Sequence, residues 1–394
     1  MDKVHILRDF TGWALGVIAN NAIEATCSHL PLDEEYWLAL RHPAEVGAVG
    51  MALLARNNPG FAALTVAEKE ATWREFRAYV RQAEGFYRGA CVLPWKSSPL
   101  NYYYSFMNLA KAMAVARGAL PPLLGQQPRR LFHGLSAKVL PGTGKPDVWE
   151  LTAQNLPCIF PQLYQFVIGK PIAENTKLDA RDLLNYVSSI SWQLGKSGYG
   201  PRRWYACYRV IAKTTAPAEY WDILVVPNEA QLDQLPASFA SEYQEVSTDA
   251  AKDFAFRILK LHAIQANSFY FLERKKPLQA PQAGFADTGA LERSLKAAAP
   301  YCVFENLDST EFQMALGIPY RGIGSDIPMN EFIASYAIMF FLSSLVRYHP
   351  DYMDAIGESS DAWLIESFAK SAPLFLLRYL VAGVLGYTLI IESA

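Results

Sequence analysis

The chain has 394 residues, a formal net charge of −2, 51% hydrophobic and 13% aromatic residues, and only 19% charged residues. That balance excludes an intrinsically disordered chain, which needs low hydrophobicity and high charge. It also excludes a globally basic nucleic-acid binder, and the length provides for roughly two to three units that each bury a core.

The five cysteines are Cys27, Cys91, Cys158, Cys207 and Cys302, and no two stand in CxxC spacing. Free, mostly buried thiols in a reducing compartment are expected, with no metal site. The opening run Met1 to Arg8 lacks a basic stretch followed by an apolar one, so a cytoplasmic protein is expected.

The first third reads helical. Thr65-Val66-Ala67-Glu68 has capping-box spacing, in which Thr65 and Glu68 satisfy each other's backbone donors. Trp73, Phe76, Val80, Ala83 and Tyr87 follow at steps of three and four and form one apolar stripe. Arg74, Arg77, Arg81 and Arg88 fall on the opposite face. Glu70 and Glu84 stand four residues before Arg74 and Arg88, the favourable order for helix ion pairs, so this face is read as self-paired rather than phosphate-binding.

Ser98-Pro99 opens a second helix, with Ser98 as its cap, that runs to about Ala116 with Tyr102, Phe106, Leu109, Ala110 and Met113 inward. Gly118 and Pro121-Pro122 end it. A short third helix is expected to hold Arg129, Arg130, His133 and Leu135.

Pro141 to Pro146 is a loop by composition, and Val148 to Phe166 reads as short strands or turns. Leu178 to Leu194 returns to helix, with Leu183, Leu184, Val187, Ile190 and Leu194 on one side. Gly195 to Arg203 is glycine-rich. Trp204 to Lys213 and Tyr220 to Val226 predict an antiparallel hairpin. Thr248 to Lys260 is expected to be helical, and Ser268 to Glu273, Tyr301 to Asn306 and Phe312 to Pro319 to be strands. Two strongly apolar helices are expected at the end, Met329 to Arg347 and Leu374 to Ile391.

Several stretches carry a family resemblance. Pro99-Leu100-Asn101-Tyr102-Tyr103-Tyr104-Ser105-Phe106 with Leu109-Ala110-Lys111-Ala112 resembles the first signature of the YaaC-like proteins. Phe132-His133-Gly134-Leu135 resembles the next, and Phe160-Pro161-Gln162-Leu163 with Asp179 to Leu184 fits the middle. Phe341 to Pro350, ending Arg347-Tyr348-His349-Pro350, resembles the last. The order is kept from about Pro99 onward. The family is bacterial, so the resemblance implies architecture and compartment more than activity. The Tyr-Tyr-Ser-Phe helix and the later His-Gly-Leu are also similar to HEPN domains, helical bundles found in toxins and phage-defence proteins. Ribonucleases of that kind carry an arginine followed by four to six residues and a histidine. Arg129 and Arg130 stand closer to His133 than that.

His133 with Arg130 is the candidate catalytic pair under a ribonuclease reading, with histidine as acid or base on a ribose hydroxyl and arginine on the phosphate. Gly195-Lys196-Ser197 resembles the end of a phosphate loop, but Ile190 stands where the first glycine belongs, so nucleoside triphosphate hydrolysis there is rejected. Lys196, Tyr199, Arg202 and Arg203 remain candidates for binding an anion or a base by charge and stacking. Arg347 and His349, at the end of an apolar helix, are candidates for a ligand pocket. Gly322-Ile323-Gly324 lacks the third glycine of a dinucleotide fingerprint. Leu374 to Ile391 holds one charge, Arg378, and would span about 27 Å, near the lower limit for a bilayer; a buried helix is preferred.

The expectation is thus a mainly α-helical α+β protein. A helical bundle over residues 1–140 precedes a mixed region with the hairpin over 141–247 and an α+β unit over 248–394 ending in the apolar helices. It is read as a cytoplasmic, homo-oligomeric binding or regulatory protein rather than an enzyme. It would sense a nucleotide or nucleic acid in bacterial stress or anti-phage defence, need no cofactor, and meet a membrane only on activation. The alternatives are a ribonuclease toxin and a membrane-acting effector.

Overall fold

The computed structural model describes residues 23–28, 30–119, 131–138, 150–153, 158–197, 204–213, 219–227, 243–246, 269–275, 278–279, 305–308, 313–319, 327, 329–386 and 388–393. In chain order the elements begin with β1 (Ile23–Ser28), α1 (Leu32–Glu45), α2 (Gly47–Asn57), a 3-10 turn (Pro59–Ala63), α3 (Val66–Cys91) and α4 (Ser98–Ala116). Next come β2 (Leu135–Lys138), β3 (Glu150–Ala153), α5 (Ile159–Ile168), β4 (Lys177–Asp179), α6 (Ala180–Leu184), a 3-10 turn (Ser188–Ile190) and α7 (Ser191–Lys196). The strands β5 (Trp204–Lys213), β6 (Glu219–Pro227), β7 (Tyr243–Glu245), β8 (Phe269–Arg274), β9 (Leu278–Gln279), β10 (Glu305–Asp308) and β11 (Gln313–Pro319) follow. The chain closes with α8 (Glu331–Tyr348), α9 (Pro350–Gly357), α10 (Ala362–Leu385) and β12 (Thr388–Ser393). The protein is a mainly α-helical α+β structure, with antiparallel strands in its middle and apolar helices towards its end.

Two compact units share the chain. One comprises Met1–Val17 with Pro201–Glu331, the other Ile18–Gly200 with Phe332–Ala394. In the former, a seven-stranded sheet has the order β10-β11-β5-β6-β8-β7, with β9 also paired to β6. The expected hairpin is there, Tyr208 opposite Val225 and Lys213 opposite Tyr220. Its outer edges are covered by β11 and β8, both antiparallel.

The other unit is helical and carries the residues of interest. The capping box at α3 forms as the spacing predicts, with the Glu68 N–H donating to Thr65 Oγ1 and the Thr65 N–H to Glu68 at 2.8 Å. Phe76, Val80, Ala83 and Tyr87 are buried. The arginine face is self-paired. Arg74 pairs with Glu70 and Arg88 with Glu84, while Arg77 and Arg81 both reach Glu45 of α1. The Arg81 and Arg77 guanidinium groups hold the Glu45 carboxyl down to about 2. α4 is buried nearly all round, including Phe106, Leu109 and Met113; each such side chain contributes about 1.5–3 kcal/mol on leaving water. Ser98 does not cap it: it is the first helical residue, buried, and the position before it makes no side-chain cap bond.

Further expectations are corrected. Val148 to Phe166 does not hold only strands or turns, because the helix α5 begins at Ile159. Leu178 to Leu194 is not one helix but a strand, two short helices and a 3-10 turn, although Leu183, Leu184, Val187, Ile190 and Leu194 are all buried as the pattern required. Leu135 begins a strand paired to Ala153, so no helix holds it with His133. The last apolar helix starts at Ala362 and stops at Leu385. Gly386 ends it with φ +81, and a Cβ there would lie 2.4 Å from Asn57 Oδ1. The β-branched run beyond it forms β12, parallel to β1. The last carbonyls of α10 are met by side chains: Asn57 Nδ2 donates to Val384 and Leu385 at 3.1 Å, and Arg117 Nε to Gly383 at 2.9 Å. α8 and α10 are both long and apolar enough to cross a membrane, yet 83% and 72% of their apolar windows are buried within the protein. Arg378, the one charge of the expected span, lies near enough to act on the buried phenol of Tyr36 in α1.

Candidate functional site

Three of the four signature stretches, those carrying α4, His133 and α8, meet in the helical unit. α4 presents Tyr103 inward, 2% exposed. Tyr104 and Lys111, seven residues apart and hence on one face, emerge half-buried.

His133 is placed by the needs of α5. The position before that helix, Cys158, makes no side-chain cap bond, so the first helical N–H groups must find other acceptors. Ile159 N donates to the Phe132 carbonyl and Phe160 N to the His133 carbonyl, both at 3.0 Å. Phe132 also bridges Cys158 in parallel fashion. Gly134 follows with φ +83, and a Cβ there would lie 2.6 Å from Pro161 Cδ; only glycine lets the chain turn so close to α5. The backbone at His133 is therefore fixed on both sides, and its ring is directed at α4. Nδ1 lies 3.0 Å from the Tyr103 hydroxyl, and the ring centroids of Tyr103 and Phe340 are 5.6 and 6.0 Å away.

α8 supplies the third component. Its Tyr336 and Phe340 rings meet Tyr103 edge-on at 5.7 and 5.1 Å. Two turns further on, Arg347 in the last turn suits the negative end of the helix dipole and donates a hydrogen bond to the Tyr104 hydroxyl.

The electrostatics are one-sided. Burial pushes the Lys111 ammonium below its ordinary value. Burial, then the charges of Lys111 and Arg347, holds the His133 imidazole below its own. Burial raises the Tyr103 phenol far above the usual range, so it stays protonated. When that O–H donates to Nδ1, the neutral imidazole carries its proton on Nε2. Lys111 lies over the Tyr79 ring at 5.7 Å, and among the described residues neither it nor Arg347 is paired with a carboxylate. Two cations and an imidazole thus come near one another, with no carboxylate paired to either cation among the described residues. Cations and N–H donors of this kind are the groups that can hold a compact anion such as a phosphate.

Of the residues singled out from the sequence, His133 and Arg347 come together. His349 instead precedes α9 and turns its ring to Tyr352 at 5.7 Å. Lys196 ends α7, exposed. Arg129, Arg130, Tyr199, Arg202 and Arg203 lie outside the described residues, as do Pro141 to Pro146, the Thr248 to Lys260 stretch and Gly322 to Gly324. Lys111, Tyr103 and Tyr104 were not singled out. The signal for Lys111 was a charge in an otherwise uncharged helix, within the first signature. Among the described residues no group of three or more histidine, cysteine or acidic side chains is placed to hold a metal ion.

No curated protein and no solved structure matches the chain. The model of the YaaC-like protein family matches residues 63–382, which takes in α3, α4, His133 and α8, and the chain belongs to that family.

Proposed function

We propose that the protein is an intracellular bacterial binding or regulatory protein that senses a phosphate-bearing ligand, a nucleotide or nucleic acid, at Lys111, His133 and Arg347. The observation that carries this reading is the convergence of two cations lacking a carboxylate partner with a neutral imidazole, each brought by a different signature stretch. A half-buried ammonium without a carboxylate partner costs stability, and an anionic ligand removes that cost. The similarity of α4 and the His-Gly-Leu stretch to HEPN bundles supports a place in stress or anti-phage defence. The apolar helices serve as core, and the protein acts as a homo-oligomer.

The test is native mass spectrometry of the protein purified without detergent, followed by thermal unfolding with ATP, GTP and pyrophosphate. A retained nucleotide or a raised midpoint is expected. Saturation at a hundredfold over Kd adds about 2.7 kcal/mol. Arg347→Gln, at an exposed position, should abolish the rise. Protein free of ligand whose midpoint no phosphate compound moves would overturn the reading.

One observation favours a second reading. In the other tautomer, with Nδ1–H donating to the Tyr103 hydroxyl oxygen, Nε2 keeps its lone pair, and a neutral histidine near two cations then suits a general base, with Lys111 or Arg347 in the phosphate-stabilising role first assigned to Arg130. A ribonuclease toxin of this kind would stop growth on expression, and His133→Ala would restore it; undiminished toxicity in that variant would remove the reading.

A further inference from the structure

Two exposed rings adjoin residues of the cation cluster along the chain. Phe132, next to His133, is 54% exposed, and Tyr348, next to Arg347, is 63% exposed. Single exposed rings are common on protein surfaces. Here each is joined in sequence to a group of the cluster, and neither is placed by a loose segment. The Phe132 backbone is held by its bridge to Cys158 and by the Ile159 N–H. Tyr348 closes α8, with the Arg347 guanidinium 5.0 Å from its ring centroid. The Tyr104 ring, whose hydroxyl accepts from Arg347, stacks on Phe86 of α3 at 5.3 Å and 28°.

Cations with exposed aromatic neighbours in the chain match a particular chemistry. A free phosphate uses the cations and leaves the rings idle. A mononucleotide has one base for two platforms. A duplex hides its base faces within the stack. A single strand offers successive phosphates and splayed bases together. We infer that this face binds single-stranded nucleic acid, with phosphates on Lys111, His133 and Arg347 and bases stacked on Phe132 and Tyr348. The inference rests on the phosphate-binding reading and names its ligand.

The experiment is fluorescence anisotropy of labelled oligo-dT and oligo-rU decamers. A duplex of equal length serves as competitor, and pyrophosphate binding is measured separately by calorimetry. The single strand should bind, more weakly as salt rises, and the duplex should compete poorly. Phe132→Ala and Tyr348→Ala should each weaken the oligonucleotide by about 5- to 100-fold, well beyond any change for pyrophosphate. Arg347→Gln should weaken both. Equal binding of duplex, or oligonucleotide affinity indifferent to both aromatic variants, would overturn the single-strand inference while the phosphate site stands. Failure of both pyrophosphate and oligonucleotide to bind would remove the underlying reading as well.

Discussion

Replacing Lys111 by methionine separates a ligand-binding lysine from a structural one. Methionine keeps the length of the apolar stem, so the packing of α4 changes little. The ammonium loses its position over Tyr79, 5.7 Å from the ring centroid, which costs about 0.5–1 kcal/mol. Against this, the variant no longer keeps a half-buried, carboxylate-free cation whose charged form burial already disfavours, a relief of comparable size. The two effects nearly cancel, and the unfolding free energy should stay within about 1 kcal/mol of the parent. Affinity for pyrophosphate should nonetheless fall about tenfold or more, because one of the charges around the anion is gone. Urea denaturation and calorimetric titration measure the two quantities. A loss of more than about 2 kcal/mol with unchanged affinity would show that Lys111 serves the fold, and the argument from its missing partner would fail.

Other consequences concern the scaffold and its protons. Asn57→Ala should destabilise by about 1–3 kcal/mol, since the Val384 and Leu385 carbonyls lose a buried donor; a change below about 0.5 kcal/mol would mean that water replaces it freely. Gly386→Ala should also destabilise, through its φ of +81 and its closeness to Asn57, and an unchanged urea midpoint would contradict this. The Glu45 carboxyl is depressed in the folded state, so its contribution is complete above about 4.5 and is lost as pH falls towards about 2. Glu45→Gln should flatten the acid limb of the stability curve in that window, modestly because the pair is partly exposed; an unaltered limb would count against the pairing. His133 is likewise depressed, so its contribution is present above its unfolded pKa near 6.5 and declines as pH falls below it. His133→Gln should remove that decline, and an unchanged slope between pH 7 and 5 would refute the assignment.

The helical frame was legible because its signals are local. Thr65 and Glu68 announce the start of α3, and the glutamates placed before Arg74 and Arg88 announce the self-paired face. Periodicity found the buried positions between Leu183 and Leu194 but not the breaks between them, because two short helices and a 3-10 turn can line up the same apolar residues. The position of His133 could not be read from its neighbours. It depends on α5 lacking a side-chain cap and taking the Phe132 and His133 carbonyls instead, a requirement created more than twenty residues later. Likewise Arg347 reads as a helix-end charge until α8 is seen beside α4, with its guanidinium on Tyr104. The site is made of long-range contacts between signatures, and spacing within any one of them does not encode it.

The most direct test of the central claim is to follow the ring signals of His133 by proton–carbon NMR while pyrophosphate is added. A bound anion faces the imidazole together with Lys111 and Arg347 and offsets the charges that hold its pKa down. The account predicts saturable shifts of His133, an upward move of its pKa on saturation, and loss of both in Arg347→Gln. Signals of His133 that stay fixed at every pyrophosphate concentration would contradict it.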